Sequence, residues 1–215
     1  MKKTFTLLTL MAMVTVAHAQ LRIGAKFGLT VANQQVTLQD GNSTEKDFGG
    51  SHPTFHFGVV TELPLAKKLW LRPELLFSGK GSRWRLDNTY SPSYMEFQAF
   101  YIEIPVNLVY RHTYGKGDHV FIGAGPSLAY GVAGEDQRDG IHSDFFHEGR
   151  WRNFDLGLNM LAGVELRSGI FFSVNFTPGL FNIADKGFNY QPVFDGATKW
   201  RNSAAGVSVG YMFKR

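Results

Sequence analysis

The residues best suited to chemistry in this sequence lie in one polar segment, 133–153. His142, Ser143 and Asp144 follow one another there, and a serine, a histidine and an acid are the groups that activate a hydroxyl in many hydrolases. Catalytic groups must meet in space with a fixed orientation, which three neighbours in a loop rarely achieve. We therefore predict a solvated loop at this position, and we do not expect an enzyme.

Two groups of possible metal ligands occur in the same segment. Neither group has the spacing of a zinc site or of a calcium-binding loop, so we expect no metal and no cofactor. The first group is His142, Asp144, His147 and Glu148, and the second is Glu135, Asp136 and Asp139.

The N-terminus has the pattern of a secretory signal peptide. Lys2 and Lys3 precede an apolar stretch, and Ala17-His18-Ala19 fits a cleavage site, so we predict a leader over residues 1–19 and one domain over 20–215. The chain contains no cysteine. Removal of the leader lowers the formal net charge from +4 to +2, because the leader holds two lysines and no acid. So small an excess does not favour a nucleic-acid partner.

Apolar residues alternate with polar or small ones along most of the mature chain, which predicts β-strands. The segments that connect the strands alternate between long and short. Outer-membrane barrels have this rhythm, with short periplasmic turns and long extracellular loops. We therefore predict an all-β fold, an eight-stranded antiparallel transmembrane β-barrel in the cell outer membrane. The predicted strands are roughly 21–32, 54–63, 69–82, 97–110, 119–132, 154–167, 170–180 and 202–213.

The two faces of these strands differ sharply. One face carries no charge, and Thr61 is its only polar side chain, as contact with lipid requires. The other face carries many glycines, which make room for long charged side chains in a narrow barrel. A soluble lipocalin-like barrel would reverse the faces and leave a glycine-rich exterior. We expect a filled polar lumen with a structural network of ion pairs among Arg22, Lys26, Glu62, Arg72, Glu74, Lys80, Glu103, Asp155 and Glu165.

Four prolines fit this interpretation less well. Pro73, Pro105, Pro126 and Pro178 lie inside predicted strands, where each removes a donor from the hydrogen-bond ladder. A closed barrel has no free edge to accommodate them, and the sequence alone offers no explanation.

Three of the proline-containing segments have recognisable sequences. They are Leu71-Arg72-Pro73-Glu74-Leu75-Leu76-Phe77, Tyr101-Ile102-Glu103-Ile104-Pro105-Val106 and Gly123-Ala124-Gly125-Pro126-Ser127. They resemble signature strands of the PorT-like outer-membrane β-barrel family of Bacteroidetes bacteria, whose members are often described as porin family proteins. The resemblance extends over the mature chain and implies the barrel fold and the outer membrane. It also suggests an accessory role in type IX-like protein secretion, which fold alone does not establish.

The leading hypothesis for function is a monomeric, non-enzymatic barrel that acts in surface interaction, membrane integrity or assembly. The alternatives are a secretion accessory, a narrow pore and a lipid-modifying enzyme. Expected partners are membrane lipid, lipopolysaccharide and a protein that contacts the long loops. Arg150-Trp151-Arg152 and Lys199-Trp200-Arg201 either bind lipopolysaccharide phosphates or anchor the barrel at the membrane interface, and we favour anchoring.

Overall fold

The fold consists of β-strands in antiparallel pairs. The computed structural model describes residues 21–40, 43–86, 93–115, 117–138, 141–144, 146, 151–184 and 197–213, so the expected signal peptide lies outside the described residues. Among these residues, no helix has the length and apolar character needed to cross a membrane. The strands are β1 (Arg22–Asp40), β2 (Ser43–Phe48), β3 (His52–Ala66), β4 (Leu69–Leu86), β5 (Ser93–Tyr114), β6 (Asp118–Arg138), β7 (Ile141–Asp144), β8 (Phe154–Glu165), β9 (Ile170–Pro178) and β10 (Ala197–Met212).

Eight of the strands form a closed ring in the order β1, β3, β4, β5, β6, β8, β9 and β10. The ring closes through β1 and β10, which pair from Gly24–Met212 to Leu38–Ala197. The remaining two strands, β2 and β7, pair with the far ends of β1 and β6. The predicted eight-stranded antiparallel barrel is therefore confirmed.

The two ends of the barrel differ in their connections. At the turn end, the connections are the short segments 67–68, 115–117 and 166–169. At the loop end, six of the eight ring strands continue beyond their predicted limits, and β1 runs to Asp40 instead of residue 32. The exceptions are β8, which begins at Phe154 as predicted, and β9, which ends at Pro178. The segments 33–53 and 133–153, which we predicted as loops, contain β2 and β7 and the extended ends of β1 and β6. We call the loop-end residues 33–48, 82–86, 93–99, 133–138, 141–144 and 197–203 the projection.

The projection escaped prediction because its polarity is the inverse of that of the rest of the barrel. Lower in the barrel, apolar side chains such as Leu29 and Ile122 point outward and are 61% and 63% exposed, forming an apolar belt. In the projection, Arg83 is exposed on the outside while its neighbour Trp84 is buried in the lumen. Most residues keep the side that strand alternation assigns to them. The change is in which side is apolar. In β6 a bulge opposite Phe100 and Tyr101 leaves Val132 and Ala133 both exposed, so beyond it the even-numbered residues Gly134 and Asp136 are the buried ones.

The prolines lie at gaps in the hydrogen-bond ladder. In three pairs of neighbouring strands, two successive residue pairs are missing from the hydrogen-bonded ladder, although the register is the same on both sides of the gap. A proline, which lacks an N–H, can be accommodated at such a gap. Pro178 is the last residue of β9. The Thr61 hydroxyl donates to the Pro73 carbonyl oxygen at 2.9 Å, which explains the one polar side chain on the apolar face. At the three gaps, the residues that lie opposite one another without pairing are Thr61 and Glu62 with Arg72 and Pro73, Glu74 and Leu75 with Ile104 and Pro105, and Val106 and Asn107 with Gly125 and Pro126.

Candidate functional site

The lumen holds a group of charged side chains near the turn end, which we call the turn-end ion cluster. The Arg22 guanidinium lies 2.7 Å from the Glu62 carboxylate and also pairs with Glu165. Arg111 contacts the same two carboxylates and lies 3.0 Å from Glu62. Two arginines therefore share two carboxylates across the barrel. The cluster comprises Arg22, Lys26, Glu62, Arg72, Glu74, Arg111 and Glu165.

Arg72 is the most enclosed cation of this cluster. It is 1% exposed, and its Nε lies 3.5 Å from Glu74 and 3.8 Å from Glu62. Its guanidinium carbon lies 4.7 Å from the ring centre of Phe121 and 4.9 Å from that of Phe171. Stacking between aromatic faces suits a guanidinium, which is planar and weakly hydrated. Arg72 is thus held by both charge and aromatic contact.

The glycines beside these rings have a role that differs in part from the predicted one. A Cβ on Gly163 would lie 2.5 Å from the Phe121 ring, and a Cβ on Gly210 would lie 2.2 Å from the Phe171 ring. Real Cβ atoms do not approach other atoms so closely. We expected glycine to make room for long charged side chains. Here it makes room for the aromatic rings, and those rings enclose the charge.

A second charged group, the upper ion cluster, consists of Lys80, Glu103 and Asp155. The Lys80 ammonium lies 3.1 Å from Asp155 and 3.6 Å from Glu103, and all three residues are buried. Glu103 also accepts hydrogen bonds from the hydroxyls of Ser78 at 2.7 Å and Ser127 at 2.5 Å. These bonds supply the polar contacts that buried carboxylates need.

Neutral polar side chains fill the lumen between the two clusters. The His56 ring lies 2.8 Å from the hydroxyls of both Thr30 and Ser208. Asn159 donates to Asn107 at 2.8 Å, so the amides also pair across the lumen. A cavity beside His56 and Lys80 measures about 20 Å³, room for about one water molecule.

The lumen of the projection is filled by apolar and aromatic side chains, which we call the aromatic plug. Phe97 stacks on Trp151 with ring centres 5.2 Å apart, and Trp200 lies 5.8 Å from both Trp84 and Trp151. Trp151 and Trp200 are 2% and 1% exposed. Interfacial anchoring by these two tryptophans, which we had favoured, is therefore wrong, because both rings face the lumen. The plug comprises Val36, Trp84, Met95, Phe97, Ala99, Tyr101, Ala129, Trp151, Ile183, Ala184 and Trp200.

Hydrogen bonds connect the plug to the upper ion cluster. The Trp84 indole N–H donates to the Ser82 hydroxyl at 2.9 Å, and that hydroxyl donates to Gln34 at 2.7 Å. The Gln34 amide donates to Asn202 at 3.1 Å, and Asn202 donates to Asp155 at 2.9 Å. The plug and the charged layer therefore form one continuous packed structure.

The structure brings all nine residues of the expected network into ion pairs, within the two clusters just described. Sequence reasoning missed Arg111, which lies one residue beyond the predicted end of its strand. The signal was available, because Arg111 continues the alternation of Glu103 and Asn107 on the lumen side. With Arg111, the two clusters together hold five cations and five carboxylates.

Most of the candidate chemistry in segment 133–153 cannot be placed. Asp139, His147, Glu148 and Arg150 lie outside the described residues, as do the side chains of His142 and Ser143. The backbone of 141–144 forms β7, and the Asp144 carboxylate accepts the backbone N–H of Phe146 at 3.0 Å. Among the described residues, no three acidic or histidine side chains gather into a group that could hold a metal ion.

Three solved structures are similar to this chain, all at low sequence identity. The outer membrane protein OprG from Pseudomonas aeruginosa is 11% identical, with 90% of this chain and 96% of that chain covered and a TM-score of 0.46. Neisserial surface protein A is 13% identical, with 87% and 97% covered and a TM-score of 0.38. The attachment invasion locus protein of Yersinia pestis is 9% identical, with 88% and 99% covered and a TM-score of 0.35.

No curated protein sequence matches the chain. A family model matches residues 15–185, more than half of the chain, and it describes the outer membrane protein beta-barrel domain. The ring of eight strands, the uncharged outer belt and the short turns agree with that architecture. The chain belongs to the outer membrane protein beta-barrel domain family, and it resides in the outer membrane of the cell.

Proposed function

We propose that the protein is a non-enzymatic, non-conducting barrel that displays the projection outside the cell as an interaction surface. The observation that carries this proposal is the filling of the lumen. The turn-end ion cluster, the neutral polar layer, the upper ion cluster and the aromatic plug follow one another along the barrel axis. An eight-stranded barrel has an interior that side chains can fill, so this packing closes the path that a porin keeps open.

The projection supports the second half of the proposal. A transmembrane β-strand needs about 9–11 residues, whereas β5 has 22 residues and β6 has 21. The surplus residues continue the barrel wall beyond the apolar belt and surround an apolar core of their own. Phe48 and Tyr94 remain 61% and 46% exposed on this part of the wall. Aromatic side chains are enriched at contact sites for partner proteins relative to the rest of a protein surface.

Planar-bilayer recording tests the closed lumen. We expect no stable currents of the size that a large porin gives, although brief small currents are compatible with rearrangement of the ion pairs. Protease protection of the protein in vesicles of the same lipid would establish that it inserts. Stable, open currents of porin size would refute the proposal.

A second proposal is that the projection binds lipopolysaccharide through cations on its outer wall. Lys199 and Arg201 alternate with the buried Trp200 along β10, so the basic residues of this triplet lie on the side opposite the plug. Arginine and lysine bind phosphate through charge-assisted hydrogen bonds. The double variant Lys199→Gln/Arg201→Gln should bind purified lipopolysaccharide less tightly than Lys46→Gln. Equal binding by the two variants would exclude this site.

An accessory role in type IX-like secretion is a further candidate, and it rests on the resemblance to the PorT-like family of Bacteroidetes. The three segments that carry the resemblance contain Pro73, Pro105 and Pro126, the prolines at the ladder gaps. They also supply Glu74, Glu103 and Ser127 to the lumen. Their residues therefore serve the barrel wall and its filling, which any role of the protein requires. Isolation of the protein from native membranes, with identification of co-purifying secretion components, tests this role.

A further inference from the structure

A pocket of about 380 Å³ opens at the turn end of the lumen. This volume lies within the range of small-ligand sites, about 300–1,000 Å³. Strands β1, β4, β5, β6 and β8 and two turns contribute side chains to its walls. Because the turns of this family face the periplasm, the pocket opens to that compartment. Its lining residues include Arg22, Lys67, Trp70, Arg111, Arg167 and one carboxylate, Glu165.

The floor of the pocket is held in place by ion pairs. Glu62 and Glu165 each pair with both Arg22 and Arg111, within a turn-end ion cluster of four cations and three carboxylates. The Arg111 guanidinium also lies over the Trp70 ring, with its central carbon 5.1 Å from the ring centre. A floor that is fixed in this way does not need to be ordered when a ligand binds.

The rim of the pocket carries positive charge that is not balanced. Lys67 and Arg167 lie in opposite turns and are exposed. Neither makes an ion pair with a carboxylate among the described residues. The nearby Asp118 carboxylate accepts the backbone N–H of Arg167 at 2.8 Å. Two cations without a carboxylate partner among the described residues therefore line one pocket, together with the guanidinium groups of Arg22 and Arg111.

We propose that this pocket binds a phosphate group, with Lys67 and Arg167 as its main contacts. A phosphate that carries up to two negative charges suits two cations from separate turns, and an arginine fork matches its oxygens. The apolar side chain of Leu166 lines the same pocket, and the Lys68 ammonium lies 6.0 Å from the ring centre of Tyr110, an exposed residue of the belt. The phosphate can therefore come from a phospholipid headgroup of the periplasmic leaflet or from a soluble phosphate ester.

The test uses the whole barrel refolded in a neutral detergent. Native mass spectrometry would measure retained phosphatidylglycerol, and calorimetry would measure the binding of glycerol 3-phosphate. The variant Lys67→Gln/Arg167→Gln removes both rim cations. Its matched control, Lys46→Gln/Arg85→Gln, removes two exposed cations from the projection. Loss of the two rim contacts should weaken binding about tenfold or more, whereas the control should bind like the wild type.

The two measurements distinguish the sources of the phosphate. Retention of phosphatidylglycerol without binding of glycerol 3-phosphate would support a lipid headgroup as the ligand. Binding of glycerol 3-phosphate that the rim variant loses would support a soluble ester. Because both rim residues are exposed, the variant should fold normally, and its unchanged electrophoretic shift on heating would verify this. Equal binding by the rim variant and its control in both measurements would overturn the proposal.

Discussion

Replacement of Lys80 by methionine provides a direct test of the charged lumen. Lys80 is the only cation of the upper ion cluster as defined here, and it is 5% exposed. Methionine keeps much of the length of the side chain and removes the charge. Glu103 and Asp155 then remain as two buried carboxylates without a cation. We expect the folded barrel to lose stability, because buried carboxylates without a partner are costly.

The magnitude follows from the two distances. Contacts of 3.1 Å and 3.6 Å at an effective dielectric constant of about 20 correspond to roughly 5 kcal/mol each before the cost of desolvation. Removal of one partner from a buried pair costs about 3–5 kcal/mol in net stability. We expect a loss in that range for Lys80→Met. The double variant Lys80→Met/Asp155→Asn should recover about 1–3 kcal/mol, the usual coupling between residues in contact.

Urea unfolding of the barrel in lipid vesicles provides the measurement. Trp84, Trp151 and Trp200 lie in the plug, so intrinsic fluorescence reports on the packing next to the cluster. Linear extrapolation gives the free energy of unfolding for each variant.

An exposed ion pair supplies the control for Lys80→Met. Arg83 and Glu96 pair on the outside of the projection, where the Arg83 side chain is 58% exposed. Arg83→Gln should cost less than about 1 kcal/mol, because solvent screens exposed pairs. If Lys80→Met loses no more stability than Arg83→Gln, the lumen charges do not form the buried network that we describe.

Three further predictions concern the belt, the lumen glycines and the topology. Leu158→Arg places a charge on the lipid-facing side and should cost about 2–4 kcal/mol of folding free energy in vesicles; unchanged folding would contradict the assigned face. Gly210→Ala pushes a Cβ against the Phe171 ring and the Ala25 backbone oxygen, so it should lower the free energy of unfolding by about 1–3 kcal/mol; an unchanged urea midpoint would contradict the close packing at this glycine. Because the chain contains no cysteine, single cysteines report topology directly. Lys46→Cys should react with an impermeant thiol reagent on intact cells, and Lys67→Cys should not. The reverse pattern would show that the barrel has the opposite orientation in the membrane.

The strands of the belt could be predicted from sequence because lipid imposes a strict rule. No charge is tolerated on the outer face, so an uncharged position recurs at every second residue across all eight strands. The same alternation assigned the nine expected charged residues to the lumen. It would also have assigned Arg111 there, had the predicted strand been extended by one residue.

The projection could not be predicted in this way. Outside the membrane, water replaces lipid, so the outer wall becomes polar and the lumen becomes apolar. A prediction based on an uncharged outer face therefore makes six of the eight ring strands too short at the loop end, and it leaves out Val36, Trp84 and Trp200. The gaps in the hydrogen-bond ladder at Pro73, Pro105 and Pro126 could not be predicted either, because the sequence does not show which residues of the neighbouring strand lie opposite each proline.

Alternation in the sequence assigns most strand residues to one side of the wall. This property is local, since successive side chains of a strand point to opposite faces except at a bulge such as that of β6. Which side chains meet follows from the tertiary structure. Arg22 and Glu165 are 143 residues apart, and Asn202 and Asp155 are 47 residues apart. Such contacts depend on ring closure and on the stagger of strands that are not neighbours in the chain. The filled lumen and the pocket at its turn end both result from those contacts.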